Sequence, residues 1–384
     1  MSADDLERLA RNAVHLLPEG GLAEKLGLGR PLRVKLGIDV TSPDIHVGRA
    51  IPLQRMRAFQ DDGHVGVLII GDYTTRIGDP SGRSAERPVL SGEEIDHNAR
   101  TYVEQAMIVL DPERTEVRYN GEWLAGLDFA EILRLTRTTT VSQILERDDF
   151  AKRYAGSQPI SVSELLYPLM QAYDSVAIEA DVELGGTDQL YNLLAGRTVM
   201  EAYGLAPQVV LTTPLLLSWD GAKMSSSVGN NIPLTAAPEE QFGRTMRIPD
   251  EQLPEWWRLI VEQDVPAGDP MDAKLELARF VVCRSHGEEA AAAAEAHFTR
   301  VVREGGAPEE VPAFTLPDGD PVHLPALIAT GFGLSTSDAR RMIAQGGVKL
   351  EGAVVHDLDL ARSSLGGALL QVGKRRFARI DADS

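Results

Sequence analysis

Two short stretches far apart in the chain carry side chains suited to polyphosphate chemistry. Residues 46–49 read His-Val-Gly-Arg, and Gly48 would let a ligand approach the backbone at a helix start, where free N–H groups favour phosphate. Residues 223–227 read Lys-Met-Ser-Ser-Ser, and the Lys223 ammonium is a mobile point charge with three donors. Each stretch alone also fits an ordinary turn or a solvated loop, so the two indicate a nucleotide site only as a pair.

A third group of polar side chains has helical spacing. Tyr167, Gln171 and Asp174 lie four and three residues apart, so on a helix they share one face and can converge on one small ligand. Gln171 and Asp174 interrupt an otherwise apolar face. A satisfied pair that caps this helix is the alternative interpretation.

The elements that must position these residues form a βαβ pattern at the start of the chain. A β-branched run at 32–38 predicts a strand, 48–61 an amphipathic helix, and the apolar run 64–70 a strand buried on both faces. A Gly-rich loop follows at 71–83, at the carboxyl end of a parallel strand, where open α/β sheets bind ligands. The fold class predicted is therefore α/β, with a Rossmann-like parallel sheet domain, followed by an α-helical domain and a small α+β domain.

The remaining pattern alternates helices and strands before it becomes helical. Ser91 and Glu94 predict a capping box that opens a helix ending near residue 110. The other predicted helices are 3–27 (one or two), 127–135, 138–153 and 161–173, and the other predicted strands are 117–119, 175–184 and 209–217. From 238 to 304 the pattern is helical, 305–320 is a linker, and 322–380 is short mixed α and β. We expect three domains, at 1–231, 232–320 and 321–384.

Composition narrows the class of protein. The chain has 384 residues, 43% of them hydrophobic and 25% charged, which is ordinary for a globular protein. Its net charge of −19 argues against a uniformly basic surface, but residues 322–384 hold eight Lys or Arg against six Asp or Glu, a net +2. The single cysteine, Cys283, excludes an intramolecular disulfide and a Cys-rich metal site. No segment resembles a signal peptide or a membrane helix, so a cytoplasmic protein is expected.

The motifs together carry a family resemblance. His-Val-Gly-Arg resembles the His-Ile-Gly-His motif of class I aminoacyl-tRNA synthetases, and Lys-Met-Ser-Ser-Ser resembles their Lys-Met-Ser-Lys-Ser motif. The stretches 37–39, 78–83, 167–174 and 185–189 are similar to those of bacterial-type tyrosyl-tRNA synthetases. The C-terminal tail resembles a small RNA-binding module shared with a ribosomal protein. The resemblance covers nearly the whole chain, in the right order.

This resemblance implies roles on the ATP side of the site. His46 and Thr41 would contact the polyphosphate and Lys223 would hold the pyrophosphate end. Arg83 and Arg87 would assist from a loop. The other residues that would bind ATP are Gly48, Arg49, Asp188 on the ribose, Met224 and Ser225.

On the amino-acid side, the resemblance implies that Asp79 holds the α-ammonium of tyrosine and Gln189 its carboxyl side. Asp174, supported by Tyr167 and Gln171, would read the phenol hydroxyl, because phenylalanine would leave that buried acceptor unpaired. Asp39 would lie close to both the amino acid and the nucleotide. Asp79 and Asp188 have the alternative interpretation of simple turn or helix caps.

Three residues depart from the family pattern. Arg49 replaces the second histidine of the first motif and keeps a positive charge near the nucleotide. Ser226 replaces the second lysine of the other motif and removes one cation, which is expected to weaken transition-state stabilisation unless other cations compensate. Lys35 stands where some tyrosyl enzymes carry a phenol-contacting tyrosine, so recognition of the hydroxyl would depend more on Asp174.

The tail offers a candidate RNA surface. A helix ending in glycine and a following strand would place Arg340, Arg341 and Lys349 along one surface able to follow RNA phosphates, and Lys374 and Arg375 would add to it. The alternative is a solvated charged face.

The resemblance implies a tyrosine–tRNA ligase. It would use ATP with Mg²⁺ bound mainly through the nucleotide, without a tightly bound protein metal, and its partners would be L-tyrosine, ATP and tRNA(Tyr) in a homodimer away from membranes. Two other functions stay open at this point. Arg49 and Ser226 favour an RNA-binding paralogue that has lost synthesis, and the shared sheet architecture allows a tryptophan enzyme, for which Asp174 would face the wrong side chain.

Overall fold

The computed structural model describes residues 3–80, 90–226, 228–303, 311–373 and 376–381. The chain forms two compact units, residues 1–288 and residues 289–384. The three domains expected from the sequence, with boundaries at 231 and 320, stay a prediction.

The first unit is built on a mostly parallel sheet. Within the described residues this sheet has six strands in the order β1-β6-β5-β2-β3-β4, and only β1 runs antiparallel, against β6. The strands are His15–Leu17 (β1), Arg33–Ile38 (β2), Val65–Ile70 (β3), Thr115–Tyr119 (β4), Val182–Gly186 (β5) and Val209–Thr213 (β6). The α/β fold class is thereby confirmed.

Helices cover the sheet and continue beyond it. They are Ala3–Leu9 (α1), Gly21–Leu26 (α2), Val47–Asp61 (α3), Gly92–Ala106 (α4), Gly121–Leu124 (α5), Phe129–Thr136 (α6), Val141–Leu145 (α7), Asp148–Ala155 (α8), Val162–Ala177 (α9), Leu190–Ala202 (α10), Pro238–Thr245 (α11), Leu253–Trp256 (α12) and Pro270–His286 (α13). Short 3₁₀ turns lie at Thr74–Arg76, Pro112–Arg114, Thr187–Gln189 and Asp250–Gln252, and a π-helical turn at Trp257–Val261.

The predicted βαβ unit is confirmed. Strand β2 pairs in parallel with β3, and α3 connects them, with Ile51, Met56 and Phe59 buried on its inner side. Residues 67–70 of β3 are fully buried, as expected for a strand covered on both faces. The capping box of α4 is also present, because Ser91 and Glu94 exchange side-chain and backbone hydrogen bonds.

Several predicted elements are wrong in extent. The segment 3–27 contains the edge strand β1 between its two helices, and 138–153 forms two helices rather than one. The strand predicted at 175–184 begins only at Val182, because α9 continues to Ala177. The strand predicted at 209–217 ends at Thr213.

The second unit is small and mixed. Its helices are Glu288–Phe298 (α14), Leu324–Phe332 (α15) and Thr336–Ala344 (α16), with a π-helical turn at Thr299–Arg303 and a 3₁₀ turn at Arg362–Ser364. Its strands are Ala313–Phe314 (β7), Val322–His323 (β8), Val348–Leu350 (β9), Ala353–Val354 (β10), Asp359–Leu360 (β11), Leu369–Val372 (β12) and Arg376–Ile380 (β13). They form a sheet in the order β10-β9-β12-β13-β7 and a pair β11-β8 among the residues described. Across the described ranges, no helix is long and apolar enough to cross a membrane.

Candidate active site

A cavity of about 530 Å³ opens at the carboxyl ends of the parallel strands of the first unit. It brings together all the residues predicted to bind tyrosine or ATP that the structure describes: Asp39, Thr41, His46, Gly48, Arg49, Asp79, Tyr167, Gln171, Asp174, Asp188, Gln189, Lys223, Met224 and Ser225. Arg83 and Arg87 lie outside the described residues. Residues of the two stretches predicted to bind phosphate therefore line one cavity, although most of the strands of the sheet lie between these stretches in the sequence.

Asp39 organises one end of the cavity. Its carboxylate accepts hydrogen bonds from the Thr74 hydroxyl (2.8 Å), the Tyr167 hydroxyl (3.0 Å) and the backbone N–H of Asp79 (3.2 Å). Burial, together with the charges of Asp39, Asp79 and Asp174, holds the pKa of Tyr167 well above its usual value, so its phenol stays neutral and can donate. Thr74 was not predicted as a site residue.

Asp174 is a buried carboxylate that faces the cavity. Trp123 Nε1 donates to Oδ1 at 2.8 Å and Asn120 Nδ2 donates to Oδ2 at 3.4 Å. Burial raises the pKa of Asp174 to about 7, against the charge of Lys35 and the two donors, which lower it. The sequence analysis missed Trp123 and Asn120, although they follow the carboxyl end of β4, the edge where a parallel sheet collects its ligand groups.

A second hydrogen-bonded group lies beside Asp39. Gln189 Nε2 donates to Asp79 Oδ2 at 2.7 Å, and its Oε1 accepts from Asn192 Nδ2 at 3.0 Å. The short 3₁₀ turn Thr187–Gln189 after β5 presents Gln189 to the cavity. This arrangement leaves a carboxylate and an amide next to each other, which is suited to an ammonium and a carboxyl group on one ligand.

His46 caps α3 instead of simply following a turn. Its Nδ1 accepts the backbone N–H of Arg49 at 3.2 Å. Burial, with the nearby charges of Arg49 and Lys223, lowers the pKa of His46 to about 3. The ring is therefore neutral and carries its proton on Nε2, where it can donate. A Cβ at Gly48 would meet the His46 ring at 3.3 Å, so glycine gives this ring its space.

Lys223 also lines the cavity and is paired with an acidic residue. Its Nζ lies 2.7 Å from Asp188 Oδ2, and its side chain is 57% exposed. Asn230 holds the loop, because its Oδ1 accepts the N–H of Ser225 at 2.8 Å and its Nδ2 donates to Asp220 at 2.9 Å. Met224 is buried, which fixes the loop beneath Lys223.

Lys35, the third departure from the family pattern, is buried in the sheet. Among the described residues it is not part of the cavity lining; it is fully buried, and its Nζ lies 2.9 Å from Glu183 Oε1. Neither the burial nor the partner was predicted, because both depend on the register between β2 and β5.

The basic residues of the tail stay a prediction as an RNA surface. Arg340 and Arg341 are exposed on α16, where Arg340 lies 3.3 Å from His323 and Arg341 2.6 Å from Asp338, and Lys349 lies half-buried on β9. Lys374 and Arg375 lie outside the described residues. Among the side chains described, no group of three or more His, Cys, Asp or Glu could hold a metal ion.

Comparisons with known proteins identify the family of the chain. Residues 28–303 match the family described as tRNA synthetases class I (W and Y). The chain is 45% identical to the tyrosine–tRNA ligase of Thermotoga maritima, over 98% of this chain and 97% of that protein, and 46% identical to that of Moorella thermoacetica, over 98% and 96%. In fold it is similar to the tyrosyl-tRNA synthetase of Archaeoglobus fulgidus solved with L-tyrosine (TM-score 0.62, 21% identity, 77% of this chain and 100% of that one).

Proposed function

Because the chain belongs to the class I tRNA synthetases (W and Y), we propose that it is a tyrosine–tRNA ligase. It activates L-tyrosine with ATP, releases pyrophosphate, and transfers tyrosine to the 3′-terminal adenosine of tRNA(Tyr). One observation in the site supports a substrate that carries a donor on its ring most strongly. Asp174 is a buried carboxylate on the cavity wall, where it can accept a hydrogen bond from a phenol hydroxyl in addition to those from Trp123 and Asn120.

Activation needs no covalent enzyme intermediate. A carboxylate oxygen of tyrosine attacks the α-phosphorus of ATP, the bond from that phosphorus to the bridging oxygen breaks, and pyrophosphate leaves with the electron pair. A ribose hydroxyl of the tRNA then attacks the tyrosyl carbonyl, and AMP leaves. Catalysis depends on alignment and on donors and cations that meet the developing phosphate charge.

In this scheme Asp174 accepts the tyrosine hydroxyl and Asp79 binds its α-ammonium. Gln189, which donates to Asp79, turns toward the carboxyl side of the substrate. Tyr167 and Gln171 support the ring, and Asp39 fixes Tyr167. The hydrogen bonds these residues make to one another support the assignment, because each holds a neighbour in place before the ligand arrives.

ATP occupies the other end of the cavity. Thr41 and the neutral His46 donate to the phosphates, Gly48 and Arg49 lie beside them at the start of α3, and Met224 and Ser225 shape the loop that carries Lys223. Asp188 binds the ribose and Lys223 the pyrophosphate end, so their ion pair opens when ATP enters. Arg83 and Arg87 assist. Mg²⁺ is bound through the ATP phosphates, since it keeps most of its waters.

The remaining parts of the chain serve tRNA and assembly. Residues 232–320 and 321–384 act as tRNA-binding domains, with Arg340, Arg341, Lys349, Lys374 and Arg375 on RNA phosphates. A homodimer is supported by exposed apolar side chains concentrated between residues 129 and 162: Phe129 (74% exposed), Leu133, Val141, Tyr154 and Val162. The protein acts in the cytoplasm, where tRNA is charged for translation.

Pyrophosphate exchange tests this function. Labelled pyrophosphate is incubated with the protein, ATP and Mg²⁺, and with each proteinogenic amino acid in turn. We expect exchange with tyrosine alone. Exchange with no amino acid would overturn the ligase in favour of an RNA-binding paralogue, and exchange with tryptophan alone would overturn the tyrosine assignment.

Sedimentation of the wild type and of the Phe129→Asp variant tests the homodimer. The substitution is expected to dissociate the dimer into monomers.

A further inference from the structure

A buried ion pair lies directly behind the amino-acid end of the cavity. Lys35 on β2 and Glu183 on β5 are partners in the register of the sheet, and both side chains are at most 1% exposed. The Lys35 ammonium has three acceptors, one for each proton: Glu183 Oε1 at 2.9 Å, the main-chain oxygen of Gln171 at 2.8 Å and Ser175 Oγ at 2.8 Å. Its hydrogen-bonding capacity is therefore fully used.

Glu183 makes matching contacts. Its carboxylate accepts from Gln171 Nε2 at 3.2 Å and from Ser175 Oγ at 3.4 Å, and Gln208 also donates to it. Helix α10 packs closely over this group, because a Cβ at Gly196 would come within 3.2 Å of Glu183 Oε2. The pair thus has no room to rearrange, and it joins two strands of the sheet to helix α9.

The contacts on α9 stand on either side of Asp174. Lys35 binds the helix at Gln171 and at Ser175, and Asp174 lies between these two positions. Gln171 and Asp174 line the cavity, whereas Lys35 and Glu183 are not among its lining residues in the described ranges. A buried ion pair is in general no more stabilising than apolar residues of the same volume, so stability alone does not account for one in this position.

We propose that Lys35 and Glu183 are positioning residues for substrate selection. Together they hold Gln171 and Asp174 against the tyrosine ring. The Lys35 ammonium also supplies a fixed positive charge beside Asp174, which makes the site reject a ring without a hydroxyl. The inference rests on the proposed function, since it names what selects the substrate of that site. It also explains why a lysine can stand where related enzymes use a tyrosine. The cation acts through Asp174 and does not touch the phenol.

The electrostatics of Asp174 support this role. The groups that face it are Lys35 on β2, Glu183 on β5, Asn120 and Trp123 at the end of β4, and Tyr167 on its own helix. Burial raises the pKa of Asp174, Lys35 is the largest influence that lowers it, and Glu183 raises it less. An ionised Asp174 facing phenylalanine would keep its bonds from Trp123 and Asn120 but would lack the donor that the phenol supplies, which costs more for a buried charge than for a protonated, neutral carboxyl. Keeping Asp174 ionised therefore strengthens selection for the hydroxyl.

The double variant Lys35→Met/Glu183→Gln tests the proposal. It removes both charges, keeps an acceptor for Gln171, and leaves every cavity-lining side chain in place. We expect the KM for tyrosine in pyrophosphate exchange to rise about tenfold, the preference for tyrosine over phenylalanine to fall by about tenfold or more, and the pH midpoint of tyrosine binding to move upward, with kcat within about threefold.

A matched control is available on the same helix. Arg153 and Glu164 form another buried ion pair, at 2.6 Å, and neither is among the described residues that line the cavity. Arg153→Met/Glu164→Gln removes it in the same way and keeps a glutamine for the capping box with Ser161. We expect its melting temperature to change but its selectivity and pH midpoint to match the wild type.

Three results separate the outcomes. Unchanged selectivity and pH midpoint in the Lys35→Met/Glu183→Gln variant would overturn the inference, and so would the same change in the control. If the double variant does not fold, Ser175→Ala removes a single acceptor of Lys35, and we expect selectivity to fall about threefold in the same direction; no change there would also overturn it. Absence of exchange with tyrosine in the wild type would instead refute the proposed function.

Discussion

The two ends of the cavity are built differently. At the amino-acid end, Asp39, Tyr167 and Asp174 are held by hydrogen bonds to other protein groups before any ligand is present. At the phosphate end, the main cation, Lys223, is 57% exposed and is paired with Asp188, a residue that ATP is proposed to use. Under the proposed function, selection of the amino acid would thus depend on a buried framework, whereas charge stabilisation would depend on a group that must change its partner. Variants at each end test this division, because each substitution should affect one end of the cavity and leave the other unchanged.

The largest effect is expected at Lys223. Lys223→Met should lower the rate of adenylate formation about 10²- to 10³-fold, because it removes a cation that acts on charge developing in the transition state. Tyrosine binding should stay within about twofold. Single-turnover kinetics and equilibrium binding measure the two quantities separately.

Lys274→Met is the matched control for Lys223. It breaks another lysine–aspartate pair, with Asp250 at 2.5 Å, and Lys274 is not among the described cavity residues. It should leave the rate of activation unchanged. A large loss of tyrosine affinity in Lys223→Met would contradict the division between the two ends.

The next effect is expected at Asp174. Asp174→Asn removes a charged acceptor for the phenol and should raise the KM for tyrosine about 10- to 100-fold, with the KM for ATP unchanged. Preference over phenylalanine should fall at the same time. Steady-state exchange with both amino acids measures this, and a rise confined to the KM for ATP would place Asp174 at the wrong end.

Acid pH should reproduce part of that effect without mutation. The pKa of Asp174 is about 7, so tyrosine affinity should weaken about tenfold per pH unit below 7, while His46, with its pKa lowered to about 3, stays neutral over this range. Calorimetric titration with tyrosine from pH 5 to pH 8 measures it. A profile that does not change with pH would show that the ionised carboxylate is not what binds the phenol.

The ionisation of Asp174 should affect protein stability in the opposite direction to tyrosine affinity. Because the folded-state pKa of Asp174 is raised above its ordinary value of 3.8, its contribution to stability is present below about pH 4 and lost as the pH rises to about 7. The free energy of unfolding of Asp174→Asn minus that of the wild type should therefore increase between pH 4 and pH 7. Denaturant unfolding at a series of pH values measures this difference.

The smallest effects are expected at the two motif departures. Arg49→His and Ser226→Lys should each change the KM for ATP or the activation rate by only about threefold, because both positions are partly exposed and their charges are screened. The Arg49 guanidinium makes a long contact, 3.4 Å, to Ser42 Oγ. A change of more than a hundredfold in either variant would show that the phosphate end is as tightly specified as the amino-acid end.

The sequence predicted the residues that line the cavity better than the buried residues that hold them in place. Tyr167, Gln171 and Asp174 could be placed together because helical spacing alone puts them on one face. The placement of His46 and Lys223 in one site followed from family resemblance, and both residues line the cavity. The pairing of Lys35 with Glu183 could not be predicted, because strand register decides which residues of β2 and β5 stand side by side.

The errors in the predicted helices and strands have a related cause. Ser175 was predicted to begin a strand, but it belongs to α9, where its hydroxyl accepts a hydrogen bond from Lys35. Strand β1 has only three residues and is followed by proline, so its sequence shows no alternation of apolar and polar residues. Only its pairing with β6 defines it as a strand. Tertiary contacts, which local patterns do not contain, decided both cases.

Strand β1 has a practical consequence for handling the protein. It pairs along His15↔Thr212, Leu16↔Leu211 and Leu17↔Val210, and the His15 ring adds a 2.8 Å bond to the Thr212 hydroxyl. A truncated version that starts after residue 20 would uncover the backbone of β6, a fully buried strand, along residues 210–212. Uncovered edges of this kind recruit strands from other chains. Such a version would precipitate on expression, even though every residue of the cavity is retained.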